Sequence, residues 1–450
     1  MNRERCIPEL EQRIICLLAE RDAALKRAQE LEKENVELKK KLAFYEGPHT
    51  PPSHEKLKTK PKDNEKTEPK KRGAPVGHRG ATRFVPEADT TEHVSALICP
   101  KCNQDPGKSI GTEEKITEEL VEPPKIKVTK FILDMYDCQH CGEKFTARHT
   151  DCPTKGNFGV NLLTYTTMLK YYLRGTLRRV EEFMFHQNDF EISTKGLMDI
   201  YLRVGGACRN DYDKMIVKVR KARWRHIDET GIKINGETAW LWIFRTDEGD
   251  VLVVIRKSRG SNVVREILGE NHIGPNIVDG WTAYNFLKII QRCWSHLLRE
   301  VDDFREISKN GMRLSDEINS MFSELKAVLD KDPPMKERKR LKAKCDRNIE
   351  ALVERYDKFK ELEKSVGYLR GGLGNWYTCI LYPGMEPTNN LGEQAMREHV
   401  VMRKIIGCFR SENGSQNYQY IASMLASWNL QGKNMFVELE KLLRRELCLA

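Results

Sequence analysis

A chain of 450 residues with 76 Lys+Arg against 66 Asp+Glu carries a formal net charge of +10, and its length allows two or three domains. With 39% hydrophobic and 32% charged residues, it reads as a soluble, helix-rich protein, and no apolar run approaches the roughly 18 residues of a transmembrane helix. Residues 1–13 lack the apolar core of a signal peptide, so a cytoplasmic protein with no membrane partner is expected. The cysteines number 13; odd in count and scattered, they favour free thiols plus a metal site over a disulfide framework.

Residues 1–47 hold a heptad. Leu10, Ile14, Leu17, Arg21, Ala24, Ala28, Leu31, Asn35, Leu38, Leu42 and Tyr45 fall alternately four and three apart. This period predicts a coiled coil, and Asn35 at a core position favours a two-stranded one, hence a homodimer. The competing reading is one amphipathic helix docked on its own domain. Residues 48–92 break the order with Pro48, Pro51, Pro52, Pro61, Pro69 and Pro75 among many lysines, the composition of a basic linker. Within it, Arg79 and Arg83 lie in a Gly- and Arg-rich strip suited to a DNA backbone, or to a solvated tether.

Residues 93–155 carry Cys99/Cys102 and Cys138/Cys141, two C-x-x-C knuckles with 35 residues between them. That is zinc-ribbon spacing, and four thiolates leave no open position, so the Zn²⁺ is expected to be structural. Lys125 to Asp134 reads as ribbon strand. Residues 156–222 read as helical. Leu177 to Met184 and Thr194 to Tyr201 form two short helices around Asn188-Asp189, resembling a helix-turn-helix, for DNA contact or for plain core packing.

From Trp224 the texture changes to strands: Arg225 to Thr230, Ala239 to Thr246 and Val251 to Arg256. A short helix, Val263 to Leu268, and a buried strand, Asn276 to Asp279, follow. This β-β-β-α-β order over 223–300 fits a ribonuclease-H-like core. Residues 301–374 read as a helical hairpin inserted in that core, broken at Pro333-Pro334. Its basic run, Lys336 to Lys344, faces DNA or solvent. The core resumes over 375–410, and a helical tail fills 411–450.

Three carboxylates stand out. Asp228 lies near the end of Arg225 to Thr230, Asp279 ends the later strand, and Glu393 lies in the first turn of a helix. Such a set can hold a pair of Mg²⁺ ions, because Mg²⁺ prefers carboxylate oxygens and keeps several waters. Glu229 is the poorer ligand, since neighbouring strand residues point to opposite faces. Taken singly, each acid has a simpler role: the aspartates as turn or cap residues, Glu393 as capping-box partner of Asn390. Arg397, Arg403, Lys404 and Arg410 follow as cations available to DNA phosphates.

At His226-Ile227-Asp228-Glu229-Thr230-Gly231, Asp279-Gly280-Trp281-Thr282-Ala283-Tyr284 and Asn389 to Arg397, the chain resembles the large transposase of the insertion-sequence 66 family. The resemblance implies a DDE domain on a ribonuclease-H-like fold, with Asp228, Asp279 and Glu393 as catalytic triad and two Mg²⁺ or Mn²⁺ ions per site. Cys293-Trp294-Ser295-His296 is similar to the Cys-x-x-His that follows the second aspartate in several DDE groups; a structural histidine near the site is expected. The whole reads as a multidomain α/β protein: coiled coil, zinc ribbon and helical domain ahead of a mixed-sheet core with a helical insertion. Its expected activity is cleavage of element ends and joining of the 3′-hydroxyls to target DNA, with helper proteins of the same element as further partners. The alternatives are a non-enzymatic zinc-ribbon DNA-binding protein and a ribonuclease-H-like nuclease without strand transfer.

Overall fold

A computed structural model describes residues 13, 17–18, 20–32, 34–35, 91, 125–137, 140–141, 144–306 and 308–449. The chain divides into two compact units, Met1–Pro124 and Lys125–Ala450. In the first, residues 20–32 are helical and exposed throughout. Leu17 and Asn35 are likewise helical and exposed. Leu10, Ile14, Leu38, Leu42 and Tyr45 of the heptad, the basic linker with Arg79 and Arg83 apart from residue 91, and Cys99, Cys102 and Cys138 lie outside the described residues.

The second unit opens on a small antiparallel hairpin, β1 (Met135–Asp137) and β2 (Lys144–Thr146). Cys141 lies in its turn and is exposed. The strand expected over 125–134 is corrected: those residues are irregular, with Val128 and Ile132 pointing to solvent. Their apolar–polar alternation has no neighbouring strand to pair with among the described residues, and alternation alone does not hold a strand.

Three helices follow: α1 (Val160–Thr167), α2 (Leu177–Asn188) and α3 (Thr194–Lys221). Asp189 closes α2 in the left-handed region, and the Ser193 side chain caps α3 by accepting from the Gly196 N–H. The second helix is not the short one expected. It runs 28 residues and buries Leu197, Ile200, Tyr201, Val204 and Cys208 in the main core. Its apolar stripe continues past Tyr201, and packing rather than a turn decides its length.

The centre is a five-stranded mixed sheet in the order β5-β4-β3-β6-β7. Its strands are β3 (Arg225–Ile234), β4 (Glu237–Thr246), β5 (Val251–Arg256), β6 (Asn276–Val278) and β7 (Ile290–Arg292), with α4 (Ser261–Leu268) between β5 and β6. β3, β4 and β5 pair antiparallel, whereas β3–β6 and β6–β7 are parallel. One sheet face packs on α3 and α4 through Ile227, Trp242 and Phe244. The other carries Ile232, Leu241 and Ile243 beneath α9 (Asn390–Ile406) and α10 (Glu412–Leu430).

Between β7 and α9 stand α5 (Trp294–Asp302), α6 (Lys309–Asp330), α7 (Met335–Tyr356) and α8 (Glu363–Arg370). They build their own core around Trp294, Trp376 and Tyr377, all essentially buried. The basic run on α7 is divided. Lys336, Lys339, Arg340 and Lys344 are exposed, whereas Arg338 is buried and donates to the carbonyl of Ile380 at 2.7 Å.

The last helices are α10 and α11 (Met435–Leu443). α10 closes the open edge of the sheet. Ser427 and Ser423 accept from the N–H groups of Val251 and Val253, each at 2.8 Å, and Gln419 accepts from Ile255 at 3.0 Å. Residues four apart on one helix face thus match alternate residues of a strand, which satisfies an edge that would otherwise invite another strand. Ser427→Ala is expected to cost about 1–3 kcal/mol, because the Val251 N–H is left buried and unpaired. Urea unfolding checks it; an unchanged midpoint would refute this role for α10.

Candidate active site

β3 pairs with β4 over its whole length, from Arg225↔Thr246 to Ile234↔Glu237. Asn235 and Gly236, at φ 50° and 83°, close the hairpin in the tight turn whose φ signs match the strand twist. Thr230 and Gly231 therefore stay in the ladder, opposite Leu241 and Trp240. Asp228 lies within a strand, which corrects its placement near a strand end. What ends there is the parallel pairing with β6, whose last partners are His226↔Ile277. Two residues further along that register, Asp279 falls opposite Asp228.

Side chains alternate along a strand. Ile227 faces the α3–α4 core, and Ile232 and Ile234 face the α9–α10 core, so Asp228 points toward α9 and Glu229 away from it. Glu229 is held there. Its side chain is 1% exposed, pairs with Arg259 at 3.0 Å, and accepts from the Tyr284 hydroxyl. Arg259 in turn stacks over the rings of Trp240 and Trp281, at 4.5 and 4.1 Å. Asp279 follows β6, and its Oδ1 accepts from the Trp281 N–H at 2.8 Å, fixing the turn.

Glu393 is positioned by the residue that starts its helix. Asn389 is fully buried. Its Oδ1 lies 3.0 Å from His226 Nδ1, and its Nδ2 donates to the Ile227 carbonyl at 2.9 Å. Its backbone N–H donates to Cys293 Sγ at 3.1 Å. Arg245 donates to the Leu391 carbonyl at 2.7 Å. The helix start is thus bolted to β3, β4 and the end of β7. Glu393, four residues after Asn389, shares its helix face and meets Arg299 at 3.2 Å and His296 at 3.7 Å.

The capping-box expectation for Asn390 and Glu393 is corrected. α9 has no side-chain cap at its start. Asn390 instead accepts from the Ser295 hydroxyl at 2.9 Å, and the Glu393 carboxylate turns outward to Arg299. Arg403 is also corrected as a DNA contact. It is 6% exposed and donates to Thr230 Oγ1 at 2.8 Å and to the Gly231 carbonyl, tying α9 to β3. Arg397, Lys404 and Arg410 are exposed.

Burial pushes the Asp228 carboxyl up to about 8, and the carboxylates of Glu229, Asp279 and Glu393 add to the effect. Among the described residues, no lysine or arginine pairs with Asp228 or Asp279. Asp228 and Asp279, two acids without a pairing cation, suit a divalent metal ion bound by oxygen; among the described residues, the metal-ligating atoms that lie within 4.8 Å of one another are those of Cys293, His296 and Glu393. Burial also lowers His226 to about 4, so its imidazole is neutral at pH 7.

Several residues here escaped sequence reading. His226 lies two before Asp228, so its place on the same face was legible from the strand period; its bond to Asn389, 163 positions away, was not. Neither was the wall next to Asp279. A Cβ on Gly280 would stand 2.5 Å from Tyr368 of α8 and 2.9 Å from Arg292, so only glycine lets the insertion approach this closely.

Comparison with known proteins gives the class of this chain, a transposase. The chain belongs to the Transposase IS66 family, whose family model matches residues 155–417, a span that includes all three acids. A search of curated proteins found no match.

Proposed function

We propose that this transposase cleaves the ends of its insertion sequence and joins the freed 3′-hydroxyls to target DNA, by DDE chemistry on a ribonuclease-H-like core. The strand order, three antiparallel strands then two parallel ones, supports that core. What supports the reading most is electrostatic: Asp228 feels the charges of both Asp279 and Glu393, and the β3–β6 register, continued by two residues, puts Asp279 opposite Asp228.

Asp228, Asp279 and Glu393 would hold two Mg²⁺ or Mn²⁺ ions. When bound, such a pair activates the attacking oxygen and stabilises the leaving one. The protein's own groups prepare the place. On this reading the β3–β6 register, continued past its last pair, would set the aspartates side by side, and the Asn389 clamp would fix the approach of Glu393. Arg259 and Tyr284 keep Glu229 out of the cluster. Arg299 and Arg397, beside or one turn beyond Glu393, offer charge to a DNA phosphate.

The paired knuckles support a structural Zn²⁺, and the heptad supports a homodimer that brings two element ends together. Zinc analysis of the full chain, with zinc lost in Cys141→Ser, tests the metal site; a monomer in solution and on DNA would sink the dimer. The catalytic reading is tested with the element's own flanking DNA. Cleavage and joining are expected to require Mg²⁺ or Mn²⁺. Failure to join a pre-cleaved end while still nicking would favour the nuclease alternative, and DNA binding without either activity the non-enzymatic one.

The shift at Asp228 predicts a pH dependence. Its folded value, about 8, lies above its ordinary value of 3.8. The stability it contributes is full below about pH 4 and is lost as pH rises through about 8, because the folded state holds the proton longer. A divalent cation requires the ionised form. The rise in melting temperature on adding Mg²⁺ should therefore grow between about pH 6 and about pH 9. A constant Mg²⁺ effect across that range would contradict it.

A further inference from the structure

Beside the acid cluster lies a second set of donors with different chemistry. Cys293 Sγ, a ring nitrogen of His296 and a carboxylate oxygen of Glu393 lie within 4.8 Å of one another. Cys293 and His296 come from the start of α5, and Glu393 from α9. His296 Nδ1 is buried without a hydrogen-bond partner, 3.7 Å from Glu393 Oε1. A buried imidazole nitrogen left unpaired between a sulfur and a carboxylate is costly unless something else takes its lone pair.

The thiol faces the same place. Cys293 occupies the N-cap position of α5, and its sulfur accepts from the Asn389 N–H at 3.1 Å. Burial raises the Cys293 thiol above its ordinary value, and the N–H groups of Asn389, His296 and Ser295 oppose that rise, so it is a bound cation, by displacing the proton, that would hold the thiolate here. We propose that Cys293, His296 and Glu393 form a binding site for a thiolate-seeking divalent cation of the zinc class, which competes with the acid cluster for Glu393.

The donor set suits that ion. Sulfur, imidazole nitrogen and carboxylate oxygen are its ligands, and one thiolate with one carboxylate balances a dication. His296 and Glu393 are each about a third exposed, which leaves the fourth position open to water. Arg299, at 3.2 Å from Glu393 Oε1, is placed to orient the carboxylate from behind, as partners of ligating carboxylates do. Binding exchanges the S–H bond for a sulfur–metal bond and releases the proton to solvent; no electrons are transferred. A hard ion such as Mg²⁺ has little affinity for sulfur, so the two sites select different metals and meet only at Glu393. This competition rests on the DDE reading; the binding does not.

Cobalt(II) added to the zinc-replete full chain is the probe. The wild type should take up one more equivalent than Cys293→Ser, with a thiolate-to-cobalt charge-transfer band that this variant lacks. His296→Ala should weaken the binding beyond the roughly 10–100-fold that losing an outer partner costs. Serine can still accept from the Asn389 N–H, and His296→Ala leaves that bond in place, so at least one variant reports on a folded chain. Identical cobalt uptake and spectra in the wild type and either variant would overturn the site. Zinc added over saturating Mg²⁺ should depress DNA cleavage by the wild type by a larger fraction than that by Cys293→Ser, each measured against its own zinc-free rate; equal fractional inhibition of both would overturn the competition. A wild type inactive in Mg²⁺ alone would instead sink the DDE reading and leave the cobalt result standing.

Discussion

Asp228→Asn is expected to reduce end cleavage and joining by on the order of 10²–10³-fold or more, the scale of losing a principal source of charge stabilisation in an active site. Asp279→Asn and Glu393→Gln should fall with it, because on the proposed reading the three acids would hold one pair of ions. The stability of Asp228→Asn should move the other way. The carboxyl is held up at about 8 by burial and by three neighbouring carboxylates. Asparagine has no proton to take up on folding, so the melting temperature of the metal-free protein at neutral pH should rise. An inactive variant that is more stable than the wild type cannot be explained by misfolding. Its response to Mg²⁺ should also vanish. Glu393→Gln keeps an oxygen for Arg299 and should fold normally. Glu398→Gln is the control: Glu398 pairs with Arg174 and is mostly exposed. Glu229→Gln cannot serve, because that side chain is buried in its own network with Arg259 and Tyr284. Near-normal joining by any one of the three acid variants would remove that residue from the triad.

The second large effect is expected at Asn389. Alanine there leaves the Ile227 carbonyl without its side-chain donor and His226 Nδ1 without a partner, both in a fully buried setting. The expected cost is about 2–4 kcal/mol, the sum of two unpaired buried groups. Aspartate should be no better, since it replaces the donor to Ile227 by a second acceptor. The same substitutions loosen the start of α9 and with it the approach of Glu393. Activity should therefore fall further than the loss of folded protein accounts for, because a misplacement of about 1 Å costs on the order of 10²-fold. The comparison is made per folded molecule, by activity at a temperature well below the melting point. If Asn389→Ala melts earlier but retains full activity when folded, the asparagine is a fold residue only, and the position of Glu393 is set elsewhere.

The same reasoning explains why Cys293 and His296 cannot be read as simple packing. Both touch the Asn389–Glu393 start of α9. A substitution there can act on the helix, on a bound metal, or on both. The cobalt spectrum separates these, because only the metal route changes the light absorbed.

The sequence alone determined much of the element order. From Trp224 onward the strands, the short helix Ser261–Leu268 and the long helices between β7 and α9 follow local signals: hydrophobic period, turn residues, and Pro333-Pro334 between α6 and α7. These signals act over a few residues, so they survive without knowledge of the rest of the chain. The belonging of the chain to its family was likewise legible from three short motifs. What tertiary structure decided is where each local pattern stops and which side chains meet water. The strand at Arg225 reads as ending at Thr230 until β4 pairs with it as far as Ile234. The helix at Thr194 reads as short until the sheet and α10 bury its far end. Arg403 and Arg338 read as surface cations, yet each is buried on backbone carbonyls supplied by distant residues. Asn390 and Glu393 have capping-box spacing, yet the partners that take their side chains come from α5. The separation of 51 between the two aspartates is visible as a count, but its meaning, one parallel register, exists only once β3 and β6 lie side by side. The physical reason is common to all of these. Propensity and period are properties of neighbours along the chain, whereas burial, ion pairing and the pKa of Asp228 depend on groups that only folding brings near.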